Sequence, residues 1–259
     1  QPDANPRCGR RPASGISWAF EPVDDAIVLE DDCVPHPTFF RYCDELLERY
    51  RHDERVMHIA GSIYRERPVP TPFSYVFSQF NSAWGWATWK RAWQLFDPAV
   101  RLWPELRDAG WLAELVEDEQ AVRYWHQVFE TAHARAGKVS YWDHQWRFAC
   151  WAKSGLSIAP RVNLVSNVGC GPGATHTLRE DDPIGNVPSL PQSFPLRHPP
   201  AVLRSHDWDR QFLREVILPR LRERRPSLAR QAASRIAPGF VKRGARQLAA
   251  EPAGEQPAA

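Results

Sequence analysis

The sequence predicts an α/β fold: a mixed sheet flanked by helices, followed by a proline-rich arm and basic helices. Three observations predict it. Short apolar runs alternate with longer segments of helical period over residues 15–169. One run, Ala26–Leu29, drives straight into three adjacent carboxylates, Glu30, Asp31 and Asp32, as does a strand that ends at a ligand-binding sheet edge. Beyond residue 182 the pattern changes, with six prolines in residues 183–200 and an excess of basic residues after them.

In chain order, residues 1–14 are polar and read as loop, and GISWAFEP (15–22) as the end of a helix stopped by Pro22. Ala26–Leu29 reads as a strand buried on both faces. Pro35–His36–Pro37 makes a turn, and Thr38 caps a helix to about Tyr50 with Phe39, Tyr42, Leu46 and Tyr50 on one face. Residues 55–62 and 74–80 read as strands. Residues 84–97 begin as loop and become helix, and 111–136 are helical, with acids early and bases late to suit the macrodipole. Residues 141–155 form a helix with Gly155 at its C-cap, and 156–169 are extended. The prolines make residues 181–206 an extended arm. Residues 207–248 form a basic helical tail broken at prolines 219, 226 and 238, and 249–259 are disordered.

Bulk composition narrows the classes. A chain of 259 residues with 43% hydrophobic and 25% charged residues can bury a sizeable core. No run of about 18 apolar residues occurs, so no membrane span is expected. The five cysteines are scattered without a C-x-x-C pair, which argues against a zinc ribbon and for reduced thiols in the cytoplasm. The net charge is +6 over residues 201–259 and −4 over the rest. Such a tail is either a peripheral contact with an anionic partner or a solvated helix face. Twelve tryptophans provide platforms for sugar rings or simply fill a core, and composition does not choose.

The three acids carry the chemistry. Packed carboxylates repel one another unless a cation sits among them, and oxygen-only ligands suit Mg²⁺ or Mn²⁺. Such an ion neutralises a diphosphate leaving group. Because side chains alternate along a strand, the three cannot all face one way. A solvated acidic turn is the competing reading.

VLEDDCVPHPTFF (28–40) resembles the metal-binding segment of nucleotide-sugar-dependent glycosyltransferases of the GT-A fold. The nearest pattern is the E-D-D of N-glycan N-acetylglucosaminyltransferases. The chain also resembles bacterial family-2-type, haemolytic-protein-like glycosyltransferases, through WGWATW (84–89) with KRAW behind it, WDHQW (142–146) and ATHT (174–177). These motifs, in the same order, span about residues 15–178. The resemblance implies a partial GT-A (Rossmann-like) domain over 1–180 and metal-dependent, inverting hexosyl transfer. The donor would be a nucleotide sugar, UDP-linked by preference, and the acceptor a glycan or lipid-linked hydroxyl in cell-envelope polysaccharide. It implies no nucleic-acid partner, and a cytoplasmic protein whose basic tail touches the inner face of the membrane.

Roles follow residue by residue. Asp32 would bind Mn²⁺ or Mg²⁺, Asp31 would assist through water or contact the donor, and Glu30 would contact the donor or hold the loop. Asp143 would be the general base, with an N-cap as its alternative role. His176 would reach the metal or diphosphate, or serve structure alone. Trp84 and Trp86 would wall the sugar pocket, with Gly85 between them allowing close backbone approach. Trp89 and Trp93, four apart, read as core. Only 29 residues precede Glu30, against roughly a hundred in the family, so an N-terminally truncated form or a miscalled start is expected, without the first nucleotide-binding strands. An inactive glycan- or metal-binding remnant is the alternative to an enzyme. A nuclease would need a second acid–Lys or His cluster, and a glycosidase two carboxylates across a cleft.

Overall fold

A computed structural model describes residues 11–136, 138–139, 141–170 and 184–223. It shows a five-stranded mixed sheet with helices on both faces, as the alternating pattern predicts. The strands of this sheet are β1 (Asp25–Val28), β3 (Val56–Ala60), β4 (Tyr75–Ser78), β5 (Trp86–Trp89) and β6 (Leu156–Pro160), in the order β1-β5-β3-β6-β4. Only β3 and β6 run parallel; every other pair is antiparallel. A separate ribbon pairs β2 (Cys33–Pro35) with β7 (Val165–Asn167).

Side-chain alternation assigns the two faces. Ile27 of β1 and Ala87 and Trp89 of β5 face α2 (Thr38–Arg49), whose Phe39, Tyr42, Cys43, Leu46 and Leu47 cover that side. Ala26, Val28 and Trp86 face the other way, onto α1 (Arg11–Ala19) and the helix over Asp143–Ala152. A third core gathers under the helices after residue 100, around Trp103, Trp125, Phe129 and Trp151.

Several expectations need correction. In the run Ala26–Leu29, β1 faces two layers yet is an edge strand, so Ala26–Val28 are half-buried rather than buried and Leu29 is exposed. Helix α1 already starts at Arg11. Trp86–Trp89 is a strand, because its aromatic and β-branched residues fit between β1 and β3, and only Lys90–Trp93 (α3) is helical after it. The 111–136 segment divides into α5 (Trp111–Leu115) and α6 (Glu119–Ala134), behind an unanticipated α4 (Trp103–Asp108). Asp118 restarts the helix by accepting bonds from the amides of Gln120 and Ala121. Thr38 does not cap α2; its hydroxyl accepts from Gln192 N at 2.9 Å and ties the arm to the helix. At the end of α7 (Asp143–Ala152), Ser154 and not Gly155 takes the left-handed conformation (φ 53°). The bonds Gly155 N→Cys150 O and Ser154 N→Trp151 O complete a Schellman turn. A side chain at Gly155 would collide with Met57.

The described part of the arm, from residue 184, and the start of the tail to Leu221 pack in the same compact unit as the sheet. The buried Asn163 amide donates to the carbonyls of Val187 and Pro188, and Arg204 bridges alongside Phe77, covering the outer edge of β4. Helix α8 (His206–Phe212) continues through a π-helical turn (Leu213–Ile217) into α9 (Leu218–Glu223). It therefore runs through Pro219, where a break was expected; the irregularity falls in the π-helical turn immediately before the proline, and the chain continues as helix beyond it. Trp208, Phe212, Leu213, Val216, Leu218 and Leu221 join the third core, so this stretch is not a solvated tail. The rest of the tail and the 249–259 segment lie outside the described residues. No helix among the described residues is long and apolar enough to cross a membrane.

Candidate active site

Strand β1 carries the acids out of the sheet and into a tight turn. Cys33 N donates to Glu30 O at 3.0 Å, so Glu30–Cys33 is a β-turn with Asp31 and Asp32 at its centre. The chain then returns as β2, and Val168 N donates to Asp32 O at 2.9 Å, extending the ribbon past the acids. Asp31 is exposed; Glu30 and Asp32 are half-buried. Gly169 lies directly against Asp32. A Cβ there would stand 2.7 Å from Asp32 Cγ, so glycine is what lets this carboxylate fold over the ribbon. Sequence reasoning did not single out Gly169, whose neighbour across the ribbon no local signal reveals.

Helix α7 supplies the facing wall. Trp142 precedes it and hydrogen-bonds the Glu30 carboxylate through its side chain. Asp143 is the first helical residue; its side chain remains 40% exposed, and the helix N-terminus favours its negative charge. The N-cap position belongs to Trp142, so the alternative capping role expected for Asp143 is corrected. His144 Nε2 lies 3.8 Å from Asp143 Oδ2, with the rings of Tyr141 and Trp125 around it.

Glu30 feels the three other carboxylates. Burial pushes Glu30 up to about 7, and the charges of Asp32, Asp143 and Asp31 push it in the same direction, against the Trp142 bond. Such crowded negative charge, presented as carboxylate oxygens, fits a hard divalent cation. Among the described residues, no three His, Cys, Asp or Glu side chains converge as a complete ligand set. His176, expected to complete it, lies outside the described residues, as does the rest of ATHT.

The aromatic expectations divide. Trp84 is half-buried beside the site, its ring edge-on to Tyr64 at 5.0 Å. Tyr64 holds a left-handed backbone (φ 57°), its hydroxyl accepts from Ala83 N at 3.2 Å, and the Asp143 charge acts on it. Strain of this kind in a bulky residue marks a position held by its surroundings. Trp86 does not wall a sugar pocket: it is 0% exposed and stacks between His58 (4.9 Å) and Trp142 (5.5 Å), so it supports the residue that holds Glu30. Gly85 is also buried and offers a ligand no surface. Its left-handed φ of 64° and its close approach to Val165 and Gly61 explain the glycine. Trp89 and Trp93 are core, as expected.

Sequence reasoning missed Arg147 as well as Tyr64. Arg147 sits one turn after Asp143 on α7, a spacing that signals a shared helix face. No protein-family model matches the chain, and no curated protein is similar to it.

Proposed function

We propose that this chain carries the metal- and acceptor-binding side of a GT-A-type glycosyltransferase, one that transfers a sugar from a nucleotide-sugar donor to a hydroxyl with inversion. One observation supports this above the others. The sheet delivers Glu30, Asp31 and Asp32 in a tight turn, and that turn faces Asp143 at the start of α7. Two opposed sets of carboxylates are what single displacement requires: one set for the donor's diphosphate, one base for the acceptor.

Asp143, partly exposed, takes the proton from the attacking hydroxyl. The hydroxyl oxygen forms its bond to the anomeric carbon as the bond from that carbon to the diphosphate oxygen breaks. The electron pair leaves with the nucleoside diphosphate, and the proton ends on Asp143. Asp32, lying against Gly169, would hold Mn²⁺ or Mg²⁺ with Asp31 beside it, and the bound ion supplies charge neutralisation for the leaving group. Glu30, steadied by Trp142, orients the donor. Trp84 and Tyr64 present ring surface to a sugar. UDP as the nucleotide, a cell-envelope glycan or lipid-linked acceptor, and a cytoplasmic setting at the membrane rest on the sequence resemblance.

Calorimetric titration of UDP with and without Mn²⁺, on this chain and on Asp32→Ala, tests the reading. Mn²⁺-dependent binding that Asp32→Ala abolishes is expected. Absence of binding in the unmodified chain, or binding indifferent to Mn²⁺ and to Asp32, would leave a protein that binds glycan or metal without turnover.

A further inference from the structure

Arg147 brings a buried guanidinium to this site from the interior. It is 8% exposed, yet it forms no ion pair within 4.0 Å among the described residues. Its Nε donates to Asn81 Oδ1 at 2.9 Å and its Nη2 to the Asn81 carbonyl. Its plane lies over the Trp125 ring, 4.7 Å from the centroid. Nη1 has no hydrogen-bond acceptor among the described residues. A cation taken out of water costs several kcal/mol unless an anion faces it, and aromatic faces and one amide offset only part of that. Among the described residues, the opposing charge that acts on it most is Asp143, one turn earlier on α7. The Tyr64 hydroxyl and the half-buried Trp84 border the same corner.

We propose that Asp143 and Arg147 form a two-point acceptor subsite for an acidic sugar, in which Asp143 receives the reacting hydroxyl and Arg147 Nη1 receives a carboxylate or phosphate on the same ring. This rests on the reading of Asp143 as the acceptor-side base. Residues at i and i+4 stand about 5–6 Å apart at Cβ, the span of one pyranose ring. The Tyr64–Trp84 corner offers the apolar surface on which that ring lies. Negative charge is unwelcome everywhere else nearby, since Glu30, Asp31 and Asp32 occupy the facing turn. On the acceptor side, next to Asp143, the fixed fork of Arg147 is where an anion gains, and it selects an acidic acceptor over a neutral one.

The test is ligand-observed NMR titration of the full chain with methyl glucuronide, methyl glucoside and glucose 6-phosphate as probes. The acidic probes are expected to bind at least about tenfold more tightly than the glucoside, the size of one charge-assisted hydrogen bond. Glucose 6-phosphate against glucuronide tells whether phosphate or carboxylate is preferred. Arg147→Met should erase the preference and Arg147→Lys should keep part of it, with near-ultraviolet circular dichroism confirming the fold of each. The preference in the unmodified chain is decisive even if a variant fails to fold. Equal binding of the three probes, no binding of any, or a preference that survives Arg147→Met would overturn the proposal and leave Arg147 a purely structural cation. Absence of a preference for acidic sugars in the unmodified chain, alongside intact Mn²⁺-dependent UDP binding, would refute this subsite alone. The converse result would refute the transferase reading and keep the subsite.

Discussion

Acidification should destabilise this protein through His58, on the central strand β3. The ring is 1% exposed and held at both nitrogens: Nε2 stands 3.0 Å from the Ser82 carbonyl, and the Trp146 indole donates to Nδ1 at 3.1 Å. A carbonyl on one side and an N–H on the other admit only the neutral tautomer with its proton on Nε2. Protonation would set a donor against the indole donor, inside a stack of His58 on Trp86 and Trp86 on Trp142. Burial, helped by the nearby Arg147 charge and opposed by the Ser82 carbonyl bond, accordingly lowers His58 from 6.5 to about 3. The unfolded chain takes up this proton below about pH 6.5, whereas the folded chain resists down to about pH 3, so the unfolded state binds more protons within that window. Stability is then fully present above the window and falls by about 1.4 kcal/mol per pH unit inside it, about 5 kcal/mol in all. That is comparable to the whole stability of many domains. Urea unfolding of the natural chain and of His58→Gln, at about pH 6.5 and about pH 5, isolates the effect, because glutamine can keep both hydrogen bonds without titrating. The natural chain should lose about 2 kcal/mol more than the variant between these two pH values. Parallel losses in the two proteins would refute the reasoning.

Three further outcomes are expected. Gly169→Ala should abolish Mn²⁺-dependent UDP binding in calorimetry while shifting the melting temperature little, because the atoms nearest the added methyl are those of the Asp32 side chain, which must move; unchanged affinity would disconnect Gly169 from the site. Asp143→Asn should lower the Glu30 titration midpoint from about 7, by removing one of the charges that raise it, as read by carbon-13 NMR of the carboxyl; a midpoint that stays or rises contradicts the arrangement. Asn163→Ala should cost about 3 kcal/mol, because Ser62 Oγ, Ile63 N and the carbonyls of Val187 and Pro188 all lose a buried partner. Limited proteolysis should then cut first within residues 184–200, and an unaltered cleavage pattern would argue against the amide as the clasp of the arm.

What could be read from sequence depended on how far each residue's partner lies along the chain. The acids and the strand before them were legible because an apolar run and a charge cluster are neighbours. The amphipathic period of α2 and α7 was legible for the same reason. Trp86–Trp89 was misread as a loop entering a helix, since only its pairing with β1 and β3 makes it a strand. The segment 207–221 was read through its arginines, although Trp208, Phe212 and Val216 recur on one face and find their core only against Phe80 and Trp151. Tyr64 and Gly169 act on the site through residues 79 and 137 positions away, Asp143 and Asp32, and no local pattern announces such a meeting.

The parallel pairing of β3 with β6 has a consequence for how the chain assembles. Val56 lies opposite Leu156, and Asn163 reaches back across 100 residues to the amide of Ile63. Closing a loop of that length must precede the contacts that reward it, which slows folding. Strands β1, β5 and β3 pair antiparallel within residues 25–89 and can nucleate first, whereas β6 can enter the sheet only once synthesis has passed Pro160. Until then β3 exposes the edge that β6 will occupy, and the growing chain passes through a stage in which its central strand is its most vulnerable one.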